Sequence, residues 1–120
     1  MPIWSILPIA ERPEVTLESW AVYEVPLDGD SSAWARHFVG HSVEDRQGQV
    51  SSAVQAFDPL KGCGTTQSGR IYRLRGRPGS DSDALYVWAR WKALNGIAAE
   101  RDVTKNVLEE MQASREGGQK

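Results

Sequence analysis

The stretch RIYRLRGRPGSDSDALYVWARWKALNG, residues 70–96, places a strand signature and a helix signature back to back. From Arg70 to Gly76, Tyr72 and Leu74 fall on one side of an extended chain, with Ile71, Arg73 and Arg75 on the other. This is the alternation of a half-buried β-strand. Pro78-Gly79 stops it, and Ser80-Asp81-Ser82-Asp83 then supplies side-chain oxygens for the unpaired amides of a helix start, with Ser80 and Asp83 at capping-box spacing. Ala84, Val87, Trp88, Trp91, Leu94 and Asn95 recur at three- and four-residue steps and form one stripe on a helix. Gly96 closes that helix in left-handed geometry, and Ile97 packs back on its last turn. The pattern predicts a strand over 70–76 and a long helix over about 81–95, with Trp88 and Trp91 covering a sheet.

Toward the N-terminus, Trp20 to Val25 alternates and ends at Pro26-Leu27-Asp28-Gly29-Asp30, where Asp28-Gly29 is a turn signal. Trp34 to Val39 and Val50 to Phe57 read as two further strands, and Asp58-Pro59 opens a glycine- and threonine-rich loop. Toward the C-terminus, Ile97 to Val103 reads as one more strand. Thr104 caps a short helix with the stripe Val107, Leu108 and Met111. Short turns join antiparallel neighbours, so the expected fold is α+β: a mostly antiparallel four- or five-stranded meander covered by one long helix, with a short C-terminal helix. Residues 1–113 read as a single domain, and 114–120 as a disordered tail.

Composition agrees with one globular domain. The 120 residues are 40% hydrophobic and 25% charged, enough for a core and unlike a disordered chain. Net charge is −2 and the pI is near 5.7, which argues against a surface built wholly to grip nucleic acid. Cys63 is the only cysteine, so neither a disulfide framework nor a Cys-rich zinc site can form, and a reducing cytoplasm is the expected compartment. The apolar arm over 1–9 lacks a basic leader, contains Pro2 and Pro8, and is too short to span a bilayer. Such an arm must be covered, either within the monomer or against a protein partner or second subunit.

Arg73, Arg75 and Arg77 project to one side of a regular strand, with Arg70 at its start and Tyr72 or Tyr86 as nearby stacking surface. Such a stripe suits phosphates or an acidic partner; alternatively it is a solvated face neutralised by Glu18, Glu24 or Asp83. His37 and His41 are four apart, but on a strand that separation is about 13 Å, too far to share one metal ion. Cys63 sits between glycines, and the segment lacks the Lys and helix start of a phosphate loop. Glu44-Asp45, Asp81 with Asp83, and Glu109-Glu110 fit turn, capping and helix-solvation roles. No metal or cofactor is expected. The leading functional expectation is a non-catalytic protein-interaction module. The alternatives are nucleic-acid or small-anion binding through Arg70, Arg73, Arg75, Arg77 and Tyr72, and an enzyme built from Cys63, His37 or His41.

Overall fold

The computed structural model describes residues 8–27 and 30–117. Residues 1–7 of the apolar arm, the Asp28-Gly29 turn and residues 118–120 of the expected tail lie outside the described residues. The chain is α+β, but its sheet is mixed and larger than a four- or five-stranded meander. In chain order the elements are β1 (Glu14–Leu27), β2 (Asp30–Ser42), β3 (Gln47–Val50), β4 (Val54–Asp58), β5 (Cys63–Thr66), β6 (Ile71–Leu74), α1 (Ser82–Leu94), β7 (Arg101–Asp102) and α2 (Thr104–Gly117). The sheet order is β3-β2-β1-β6-β5-β4, with β7 also pairing β1.

β1 organises the sheet. From Leu17 to Leu27 it pairs antiparallel with β2, whereas its other edge is shared: Glu14 to Leu17 pair parallel with Ile71 to Leu74, and Tyr23 and Glu24 pair antiparallel with Asp102 and Arg101. Four strands separate β1 from β6 in sequence, long enough for the parallel return that a meander of tight turns excludes. A bulge between Glu18 and Ala21, with Ser19 at φ 49°, resets the alternation of β1. Val15, Leu17, Trp20 and Val22 therefore all enter one core, although a strict period of two would put Leu17 and Trp20 on opposite faces. Val22 exchanges backbone bonds on the β7 side, with Val103 and the Thr104 hydroxyl. By alternation the Pro26 nitrogen faces that side too, beyond the end of β7, so its missing N–H costs the ladder with β2 nothing.

The run Val50 to Phe57, expected to be one strand, breaks at Ser51-Ser52-Ala53. Ser51 explains the break: its N–H still donates to Phe38 O, but its hydroxyl accepts from Phe38 N at 2.9 Å in place of a backbone carbonyl and donates to Ser52 O at 2.7 Å, which ends the ladder there. The glycine- and threonine-rich segment is not a loop throughout, because β5 forms from Cys63 to Thr66. Asp58 makes the preceding turn by accepting from Leu60 N and Lys61 N. A Cβ at Gly64 would sit 2.7 Å from the Phe38 ring, so the missing side chain lets β5 pass over that ring.

The helices cover opposite faces. Ala84 and Trp88 of α1 pack with Val25, Val39 and Val50. Val107 and Met111 of α2 pack with Val15, Leu17, Trp20, Val22, Phe38, Tyr72 and Leu74. Asp81 caps α1 by accepting from Ala84 N at 2.9 Å, while Asp83 crosses to β3 and accepts from Gly48 N at 2.6 Å instead of closing a capping box. Gly96 closes α1 at φ +66°, with Ile97 N donating to Lys92 O. Three features differ from the periodicity reading. α2 is 14 residues to α1's 13 and carries on through Gly117, into the stretch read as a tail. Leu94 is 79% exposed, so the stripe on α1 ends at Trp91. The strand expected over Ile97 to Val103 shrinks to Arg101 and Asp102, which leaves 97–100 irregular beside α1. Among the described residues no helix is long and apolar enough to cross a membrane.

Candidate functional site

The arginine strand does not present a bare cationic stripe. Arg70 is buried and its Nε donates to the Arg12 carbonyl at 2.8 Å. Tyr72 is buried too, its hydroxyl accepting from Gln49 Nε2 at 3.1 Å. Arg73 and Arg75 share an exposed face, but the parallel pairing of β6 with β1 lays Glu14 and Glu18 beside them, at 3.0 Å and 2.7 Å. Arg77 is exposed beyond the end of β6. Glu18 neutralises the face as one sequence reading expected; Glu24 instead bridges Arg36 and Arg101, and Asp83 holds β3. These arginine side chains are 52% and 57% exposed, and exposed pairs are worth about 0–1 kcal/mol. Arg73→Ala and Arg75→Ala should therefore each change the urea-unfolding free energy by less than about 1 kcal/mol; a larger loss would show that the pairs hold β6 to β1.

The other sequence candidates are dispersed. Cys63 opens β5, opposite Arg73 in the ladder, and His41 lies toward the far end of β2 from His37. No group of three or more potential metal ligands exists among the described residues. Glu44 is tied to Thr16, Asp45 to Arg12, and Glu110 to Arg36.

His37 is the exception, because β2 delivers it beneath the end of α1. Tyr23 stacks on Trp88 with ring centroids 5.4 Å apart, Trp88 stacks on Trp91 at 5.1 Å and 8° between planes, and His37 lies 4.7 Å from Trp91. Glu100 anchors the irregular segment to this stack: one of its oxygens accepts from Trp88 Nε1 at 2.8 Å and Lys92 Nζ at 2.7 Å. Burial works against the Glu100 charge, yet those two donors outweigh it and hold the carboxyl below its usual range. Tyr23 is pushed up by burial and by the nearby carboxylates of Asp102 and Glu100, so it stays a neutral phenol.

Beside the stack opens a cleft of about 690 Å³. β1 and β2 contribute Val25, Pro26 and His37; the β3–β4 connection contributes Ser52 and Ala53, and Gln67 follows β5. The end of α1 contributes Trp91 and Asn95, and the segment from Gly96 to Ala99 completes the lining. This volume lies within the range of about 300–1,000 Å³ typical of small-molecule sites. His37 Nδ1 lies 2.8 Å from the Ser51 carbonyl oxygen. That oxygen can only accept, so Nδ1 carries the ring proton and Nε2 holds the lone pair. Burial keeps the imidazole pKa below its ordinary value, against the raising effect of the Ser51 bond, and the ring is neutral at pH 7. A second, smaller cleft of about 450 Å³ includes Glu24, Trp34 and Arg36. Its charges are satisfied internally, with Arg36 on Glu24 and Glu110, and Arg101 lies 3.7 Å over the Trp34 ring.

Sequence reasoning singled out His37 and Trp91 separately but did not bring them together, and it missed Ser52, Gln67 and Ala98 entirely. The usable signal was Gly96-Ile97-Ala98-Ala99, a run of uncharged, apolar residues at a helix stop. No protein-family model, curated protein or solved structure matches the chain.

Proposed function

We propose that the chain is a non-catalytic binding module whose contact surface is the cleft beside His37 and Trp91, and that the cleft takes an uncharged, largely apolar small molecule. One observation carries the reading: among the described residues the lining bears no formal charge, its polar side-chain groups being those of His37, Ser52, Gln67 and Asn95 and the indole N–H of Trp91. A charged ligand would lose its hydration there without gaining a counter-charge, whereas apolar surface gains about 25 cal/mol per Å² buried. Binding without chemistry is supported by the company His37 keeps. Around it the cleft offers amides, a hydroxyl and apolar groups, with no carboxylate or thiol among the described residues of its lining. This keeps the expected absence of catalysis but puts a small molecule in place of the expected protein partner, and the cleft in place of the arginine strand. Anion binding at Arg73 and Arg75 would first have to displace Glu14 and Glu18.

Indole is a suitable probe, being neutral, planar and small enough for the volume. Ligand-observed NMR should give a Kd on the order of 1 mM, about −4 kcal/mol, which is ordinary for a fragment of that size. Ala98→Trp, at an exposed position in the lining, should fill the cleft and abolish the signal while leaving the unfolding midpoint in place. Binding undiminished in that variant, or no binding by the native chain, would overturn the assignment. An apolar side chain of a protein partner in the cleft would show instead as no indole affinity with capture of a partner that Ala98→Trp prevents.

A further inference from the structure

His37 is 5% exposed, and its two ring nitrogens differ in kind. Nδ1–H is committed to Ser51 O, which leaves Nε2 as an acceptor. Among the described residues the only sealed polar side-chain atom lacking a hydrogen bond is Gln49 Oε1. Among those residues His37 Nε2 has no hydrogen-bond partner either, yet it is not among the sealed atoms, and the void that His37 lines is the cleft. The Trp91 ring, its centroid 4.7 Å from that of the imidazole and tilted by 51°, supplies a flat aromatic surface beside the His37 ring. A fixed acceptor next to an aromatic face, with no competing charge, sets two requirements on a guest. It must be planar, and it must bring a hydrogen-bond donor to the place of Nε2.

We infer that His37 Nε2 selects, among uncharged planar molecules, those carrying an N–H or O–H group, with the donor seated on Nε2 and the ring against Trp91. This rests on the cleft being the binding surface. The selectivity comes from an asymmetry: a guest lacking the donor strips water from Nε2 and leaves the acceptor unsatisfied, whereas a donor replaces that water. Ser52, Gln67 and Asn95 are less suited to impose it: Gln67 and Asn95 are exposed, so their amide oxygens keep water when a guest arrives, and Ser52 Oγ already accepts from Ser68 N.

The test compares indole with indene, which differ only in having N–H or CH₂ at one ring position. Indene is the more apolar, so burial alone favours it. The inference predicts that indole binds the native chain at least about tenfold more tightly, a factor typical of an unsatisfied buried acceptor. In His37→Phe, the ratio should collapse or invert. If that variant fails to fold, phenol against toluene on the native chain gives a second reading, with phenol expected to win despite its lower apolarity. Equal or tighter binding of indene to the native chain would overturn the donor requirement while leaving the cleft as the binding surface. No binding of either molecule would overturn both.

Discussion

Trp88→Ala is expected to lower the free energy of unfolding by about 3–5 kcal/mol, the usual cost of truncating a buried tryptophan. Trp88 is 2% exposed and does three jobs at once. It fills the core between α1 and the sheet with Val25, Val39 and Val50, and it is the middle ring of the Tyr23–Trp88–Trp91 stack. Its Nε1 also holds Glu100. Truncation opens a cavity and frees the segment from Gly96 to Glu100, so urea unfolding should show the loss and indole binding should fall with it. Trp88→Phe keeps much of the stack and should cost distinctly less. A loss below about 1 kcal/mol for the alanine variant would mean that α1 is not packed through this residue.

Gly48→Ala should be nearly as damaging, for the opposite reason. A Cβ on Gly48 would stand 2.3 Å from Ala84 N and 2.5 Å from Asp83 C. These are backbone atoms in the first turn of α1, which cannot rotate aside as a side chain can. The Asp83 carboxylate reaches Gly48 N at 2.6 Å because the helix lies so close to β3. A methyl group must push α1 off the strand, lengthen that bond and disturb the fully buried Ala84. Overpacking of a well-filled core costs about 1–3 kcal/mol, and here the upper end or beyond is expected because the obstacle is rigid. The shift in urea midpoint checks it; an unchanged midpoint would show that α1 and β3 stand further apart.

The two halves of the residue 70–96 segment were legible to different degrees. Helix α1 was readable almost to the residue, since its cap at Asp81, its apolar stripe and its stop at Gly96 are all local in sequence. Strand β6 was readable as a strand, but its neighbour was not. Nothing within Arg70 to Gly76 encodes that Glu14 and Glu18 lie alongside, because the pairing with β1 closes over more than fifty residues. A stripe that is cationic in sequence is thereby paired in three dimensions. The bulge at Ser19 hid the first half of β1 by shifting its alternation, and Cys63 to Thr66 passed for a loop because Gly64 is needed by the Phe38 ring and not by a turn. The candidate cleft was the least legible feature. It is lined by β1, β2, the β3–β4 connection, Gln67, the end of α1 and an irregular segment, so its meaning lies in their juxtaposition.

The most direct measurement of the central claim is amide NMR mapping of the native chain titrated with indole in high salt. The account predicts shifts concentrated at Ser52, Ala53, Gln67 and Asn95 to Ala99, with Arg73, Arg75 and Arg77 unmoved. Shifts confined to the arginine strand, or no saturable shift at the cleft, would contradict it.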